Sequence, residues 1–410
     1  MHHIHPSLVH GVQNVKPSNL KDANQDAAAE GLSSAVDYSH PDKNNGDVQQ
    51  GIHGHSHLGA LADSKWYKEL VPKLESLASK HHVGNFVALR GTNETFFESM
   101  PIYARLGMHL LFYGHEQVKL LEGNSRIEEL LKEQSIKEGK IYDSPESVKN
   151  IPSFIKTYGI SLDELAEPDI SKYKNFNEFF SRKMKPDARP VANADDPRGF
   201  CSAADCRLVV YPTVDLAQKF WIKGDEFSVP ALLAAQPDPE SPLCQSLSGG
   251  ALAIFRLAPS DYHRFHSPID AEVVAIGEPI PGQYYTVNPQ AVNEPKMDVF
   301  SRNKRQVLIL RHTLTGKEVA FIAIGALLVG SIGWTVQPGQ QVKRGDELGF
   351  FAYGGSTCIA IFPPGLMAFD EDLVKNSEGR GVPAPALHGN GPIETYVKVG
   401  MSLGRMPEGA

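Results

Sequence analysis

The 410-residue sequence has only four cysteines, Cys201, Cys206, Cys244 and Cys358, and none sits in a CxxC pair. A disulfide scaffold and a thiolate zinc site are therefore excluded, and a reducing compartment is expected. Long apolar runs are also lacking. The longest apolar run, residues 319–334, is broken by Gly325, Gly330 and Gly333; it falls short of the roughly 20 residues of a membrane span, so it reads as buried strands. Residues 1–10 contain no apolar h-region of a secretory signal, and the mature protein is expected to begin near Met1. Positive charge is in short supply, with 40 Lys plus Arg against 48 Asp plus Glu, a formal charge of -8 and no basic patch. Nucleic acid is thus not an expected partner. What is present, 41% hydrophobic and 21% charged residues, is an ordinary globular composition at a length for two domains, or one large domain with an appendage.

Residues 1–60 are rich in Asn, Asp, Ser, Gly and His and poor in large apolar side chains, which predicts a flexible polar tail. His53, His55 and His57 alternate there; they suit a transition metal in a peptide or simply a solvated tail. Residues 61–195 read as a helical N-terminal region. Pro101 precedes a strongly apolar run containing Ile102, Leu106, Leu110 and Phe112, which suits core burial or insertion at a membrane surface. Ser125 and Glu128 have capping-box spacing ahead of a second helix, and Asn175 with Glu178 opens a third whose apolar side carries Phe176, Phe179 and Phe180. Beyond residue 196 the period changes. Apolar runs at 208–211, 252–257, 272–276, 306–311 and 319–324 alternate with Gly and Pro, predicting an α+β protein whose catalytic domain, 196–410, is a mainly antiparallel, sandwich-like β structure.

Gly339 and Gly345, six apart between apolar positions, predict tight hairpins with the rhythm of lipoyl and biotinyl carrier domains. A binding or carrier module is therefore a second class to weigh, but no Lys occupies a hairpin tip between two hydrophobic residues. Three polar segments have apolar flanks: Ser202 to Cys206, Asp261 to Pro268, and Tyr353 to Cys358. They offer Asp205, His263 with His266, and Ser356, in the acid, base and hydroxyl order that can activate a nucleophile. Each also has a plain structural use, as a turn cap, a core histidine or a hairpin. The G-x-S-x-G elbow is incomplete because Cys358 stands at its last position, which disfavours an α/β-hydrolase.

Five ordered motifs then converge. They are Phe179-Phe180-Ser181-Arg182 running to Arg189-Pro190, Ser202-Ala203-Ala204-Asp205, Ile222-Lys223-Gly224, Tyr262-His263-Arg264-Phe265-His266-Ser267-Pro268, and Gly354-Gly355-Ser356-Thr357. Over residues 95–405 the chain resembles the phosphatidylserine decarboxylases, most of all the catalytic half of the large fungal members. The resemblance implies a proenzyme that cuts itself between Gly355 and Ser356, giving chains 1–355 and 356–410 that stay associated. Ser356 would become an amino-terminal pyruvoyl group by way of an ester, with neither pyridoxal phosphate nor a metal. It implies a relay of Asp205, His266 and Ser356 for the cut. His263 would position the substrate carboxylate and deliver the proton in turnover. Gly355 would clear the approach to its own carbonyl and tolerate a strained turn. Because residues three apart on a strand face opposite ways, a bulge or turn is expected between His263 and His266.

The implied substrate is an amine-bearing carboxylate, phosphatidylserine, converted to phosphatidylethanolamine and carbon dioxide. The alternative is a soluble paralogue acting on a free amino acid or a small amine-bearing acid. Departures from the family pattern bear on that choice: Gly354 and Cys206 replace commoner residues, Gly333-Trp334 stands where an acidic residue and Thr are usual, and an insertion spans 376–391. Neither a membrane anchor nor calcium-dependent lipid-binding modules are expected. Placement is expected in the cytoplasm, with peripheral contact on an internal membrane.

Overall fold

The computed structural model describes residues 84–99, 132, 135–137 and 139–409, apart from 225–226, 288, 294–297, 327–330, 353 and 383–390. The expected polar tail, the apolar run behind Pro101 and the start of the helix after Ser125 lie outside the described residues, as does half of the 376–391 insertion; of that helix, the described residues 132 and 135–137 are helical. The chain forms two compact units. Among its described residues, the first unit includes 149–159, which carries helix α1 (Ile151–Tyr158). Pro152 is compatible with its first turn, and Gly159 ends it in the left-handed region at φ 61°, donating its N–H to the Ile155 carbonyl.

The second unit takes in residues 86–96, 135–148 and 160 onward. Helix α2 (Phe176–Phe180) begins as the sequence predicts: the Asn175 side chain accepts the Glu178 N–H at 2.8 Å, and the Glu178 carboxylate accepts the Lys174 N–H at 2.6 Å. Phe176, Phe179 and Phe180 are fully buried.

In chain order the strands are β1 (Gly84–Leu89), β2 (Thr95–Ser99), β3 (Gly199–Cys201), β4 (Cys206–Tyr211), β5 (Ala251–Leu257), β6 (Arg264–His266), β7 (Ala271–Ile276) and β8 (Arg305–His312). They continue as β9 (Glu318–Gly325), β10 (Ile332–Trp334), β11 (Gln341–Val342), β12 (Glu347–Phe351), β13 (Ser356–Phe362), β14 (Ala368–Phe369), β15 (Glu394–Val397) and β16 (Ser402–Arg405). One ten-stranded sheet runs β11-β7-β8-β9-β13-β5-β4-β15-β1-β2, and two three-stranded sheets run β10-β12-β6 and β14-β16-β3. The pairings are antiparallel except β1 with β15, which is parallel. Strands β4, β7, β8, β9 and β5 coincide with the five apolar runs read from the sequence, and the class is α+β.

Two expectations need correction. Residues 84–99, inside the region read as helical, form β1 and β2. The turn between them carries Gly91 at φ 77° and closes with Leu89 N–H to Glu94 O, and Thr95 and Phe96 favour an extended chain. The segment around Gly339 and Gly345 turns tightly as expected, at φ 86° and 84°, but β11 between those glycines does not fold back on a sequence neighbour. It pairs with β7, because the buried Val342 joins the core on that side, while β10 and β12 pair with each other. No helix among the described residues is long and apolar enough to cross a membrane.

Candidate active site

Ser356 is the first residue of β13, the strand flanked by β5 and β9 within the ten-stranded sheet, in register with Leu257 on one side and Gly325 on the other. All seven residues of β13 are buried, so the serine is fixed by a full ladder on both edges. Its Oγ is buried and makes no hydrogen bond, as is true of Thr357 Oγ1. An orphaned hydroxyl in such a place costs free energy, which marks it as a group held for chemistry. The positive φ in the preceding loop falls on Gly354, at 125°; a Cβ on Gly355 would meet nothing within 4 Å. The strained glycine is therefore Gly354, one residue earlier than the sequence suggested.

The irregularity expected between the two histidines falls on the partner strand instead. His263 lies just before β6, and the β6–β12 register shifts where His266 opposes Glu347 and Phe265 opposes Gly349, with the extra residue, Leu348, on β12. His263 is fully buried, its ring 4.0 Å from that of Phe180. Nδ1 is 3.0 Å from the Asp261 carbonyl; a carbonyl can only accept, so Nδ1 carries the proton. Nε2 makes no hydrogen bond of good geometry, although the Gly354 backbone beside the ring favours protonation. Burial outweighs that and pushes the imidazole down to about 3, with Arg182 and Arg207 acting in the same direction.

His266 is half-buried, and its main-chain N–H donates to Ala203 O, two residues before Asp205. Nδ1 donates to the Gly345 carbonyl at 2.7 Å and Nε2 accepts the Tyr262 hydroxyl at 3.1 Å. Burial lowers its proton affinity, opposed by the Gly345 backbone and by the charges of Glu347 and Asp205. Asp205 is held elsewhere: Arg189 approaches it through Nε at 2.9 Å and Nη2 at 2.6 Å, and Val399 N–H donates at 2.9 Å. Arg189 also reaches Glu164 at 3.0 Å. Asp205 and His266 thus share one neighbourhood by backbone connection and charge, whereas the cleavage loop is approached by His263, and no hydrogen bond joins any two of Asp205, His266 and Ser356.

Arg189, Arg182, Tyr262 and Asp261 complete the site, and the sequence reading gave them no part. Each lies inside a quoted motif, and the signal was charge: the buried Arg207–Asp261 ion pair and the Arg189–Asp205 pair need arginines that an apolar count passes over.

Comparison with known proteins shows the family. The phosphatidylserine decarboxylase family matches residues 176–405. Phosphatidylserine decarboxylase proenzyme 3 of Schizosaccharomyces pombe is 40% identical over 349 residues, 84% of this chain and 34% of that protein. Proenzyme 2 of Komagataella phaffii is 39% identical over 351 residues, 85% of this chain and 32% of its own length. The phosphatidylserine decarboxylase proenzyme of Chlamydia trachomatis is 40% identical over 256 residues, 62% of this chain and 77% of that protein. The chain therefore spans about a third of the length of the two fungal relatives and most of the bacterial one. It belongs to the phosphatidylserine decarboxylase family.

Proposed function

We propose that the chain is a self-processing, pyruvoyl-dependent decarboxylase that converts phosphatidylserine to phosphatidylethanolamine and carbon dioxide. The observation that carries this reading is the orphaned Ser356 hydroxyl at the head of a fully buried strand, behind the strained Gly354, in a chain of this family. Attack of Ser356 Oγ on the Gly355 carbonyl would move the acyl group from nitrogen to oxygen. The new chain end would then start on a strand laddered on both edges, which suits a fixed pyruvoyl group. That group, when present, supplies a keto carbonyl that acts as electron sink for loss of the carboxylate.

The protein's own residues do the rest. Asp205, clamped by Arg189, gives a fixed negative charge near His266, and Tyr262 offers that ring a hydroxyl proton. His263 presents a lone pair at Nε2 to hold or move a proton beside the cleavage loop. A sandwich-like arrangement of the large sheet against the two small ones is supported by a core drawing Phe200, Phe265, Leu348 and Leu403 together with Leu208, Val273 and Phe321. For a bilayer substrate we take the apolar sequence behind Pro101 as the docking element, and our reading is of a cytoplasmic protein in peripheral contact with an internal membrane.

The test is mass spectrometry of the purified protein, then carbon dioxide release from phosphatidylserine vesicles and from free amino acids. Fragments 1–355 and 356–410 with release from vesicles support the reading, and Ser356→Ala should remain one chain. Release from a free amino acid alone would replace the lipid by the soluble-paralogue reading, and an intact wild-type chain would end the pyruvoyl mechanism.

A further inference from the structure

Arg182 is 3% exposed, yet no carboxylate hydrogen-bonds it. Its guanidinium donates only to main-chain carbonyls, Nη1 to Phe180 O at 3.3 Å and Nη2 to Ser260 O at 3.4 Å and Asp261 O at 3.1 Å. Cζ lies 5.3 Å from the centre of the Phe179 ring, and Nε is buried without a partner. Burying a cation without a counter-ion in direct contact is costly, and a neutral donor could tie the same carbonyls at less cost. The charge itself therefore calls for a use.

The use is indicated by the carbonyl that Arg182 selects. Asp261 O is the acceptor of the His263 Nδ1 proton, and its two lone pairs serve these two donors. The same stretch of chain also supplies Phe180, whose ring centre lies 4.0 Å from that of the imidazole at a tilt of 36°. Arg207, on β4, is the other cation facing the ring, and it is paired with the Asp261 carboxylate. We propose that Arg182 is a positioning residue for His263, fixing the imidazole as the neutral Nδ1–H tautomer with Nε2 open beside the Gly354 backbone. Such a ring gains a proton only when negative charge arrives at Nε2. Under the decarboxylase reading, on which this last step rests, that charge is the substrate carboxylate.

The experiment uses the full chain carrying Ser356→Ala, with isotope-labelled histidine and His263→Asn to assign the signal. The ring should stay neutral and Nδ1-protonated from about pH 8 to pH 5, the window in which an ordinary histidine titrates. Arg182→Gln keeps a donor and removes the charge; His263 should then titrate inside that window or mix its tautomers, while Arg182→Lys, which keeps the charge but not the fork, should leave the ring neutral with its tautomers mixed. Identical tautomer and titration in Arg182→Gln and the parent would overturn the proposal. If circular dichroism shows that Arg182→Gln does not fold, self-cleaved Arg182→Lys decides on short-chain phosphatidylserine micelles: the lost fork should lower kcat ~10- to 100-fold, with KM moving less than about twofold. Unchanged kcat would also overturn it. The resonance measurement needs neither cleavage nor turnover, so its failure leaves the proposed function standing, whereas an intact wild-type chain removes that function alone.

Discussion

At the scale of single residues, Asp205 and the two histidines are each secured by a neighbour other than the expected relay partner, and the Ser356 hydroxyl by none. Two charge-assisted bonds from Arg189 outweigh one from a neutral imidazole, so Asp205 stays with the arginine. Backbone carbonyls take Nδ1 of both histidines and so set their tautomers. Asp205, His263, His266, Gly355 and Ser356 could be singled out as candidates because they stand in motifs, but partners such as Arg189 and Gly345 could not, since they are distant in sequence. The strained glycine was misplaced by one position for the same reason, because φ is a property of the folded loop. Gly354→Ala, forced toward φ 125°, should cost about 1–3 kcal/mol of strain and slow self-cleavage, whereas Gly355→Ala adds a Cβ into open space. A processing time course on gels checks this; equal rates in the two variants would contradict it.

The histidines also make stability depend on pH. His263 is pushed down to about 3, and burial lowers His266 and His312 as well. In the unfolded chain these rings bind protons below about 6.5 while the native rings do not. Stability is thus fully present above that pH and is lost as pH falls toward 3, by up to about 1.4 kcal/mol per pH unit for each fully depressed ring. Urea midpoints of the Ser356→Ala chain should drop between pH 7 and pH 5, and His263→Asn should flatten that drop. A pH-independent midpoint would show that His263 is protonated in the native state.

At the scale of elements, five strands were legible because buried strands write uninterrupted apolar runs, as in Ala251-Leu252-Ala253-Ile254-Phe255 of β5. Strands β1, β2 and β13 were not. The first two sit in a polar stretch, and β13 opens on Ser356 and Thr357, which read as a polar loop. What makes that opening tolerable is a buried charged row beside it. Arg256 on β5 lies in register with Thr357 on one side and Arg207 on the other. Two like charges directly opposite would repel, but Glu394 of β15 pairs with Arg256 at 2.7 and 2.6 Å, and Asp261 pairs with Arg207. Glu394→Ala should therefore destabilise the protein by about 3–5 kcal/mol by urea unfolding, because it takes the paired carboxylate from a buried arginine. Arg256→Met with Glu394→Leu should recover most of that loss. A single variant as stable as the parent would mean that the row is wetter than the geometry indicates.

At the scale of the whole molecule, the position of the Gly355–Ser356 bond has a consequence for the processed form. Residues 356–410 do not form a separate module. They supply β13 between β5 and β9, β15 between β4 and β1, and β16 between β14 and β3. A cut at that bond makes two new chain ends, at 355 and 356, and removes none of these strands from its sheet. Ile359, Ile361 and Phe362 are fully buried, each contributing about 1.5–3 kcal/mol of hydrophobic stabilisation that would be lost on separation. The two products should therefore co-elute as one particle in gel filtration without denaturant, and part only when urea unfolds the sheet. Binding of the short chain should be all-or-none, since β13, β15 and β16 enter two sheets at once. Truncation after β13, at residue 363, should weaken retention even though the new chain end is untouched. Release of 356–410 from the processed protein under native conditions would show instead that cleavage remodels the sheet.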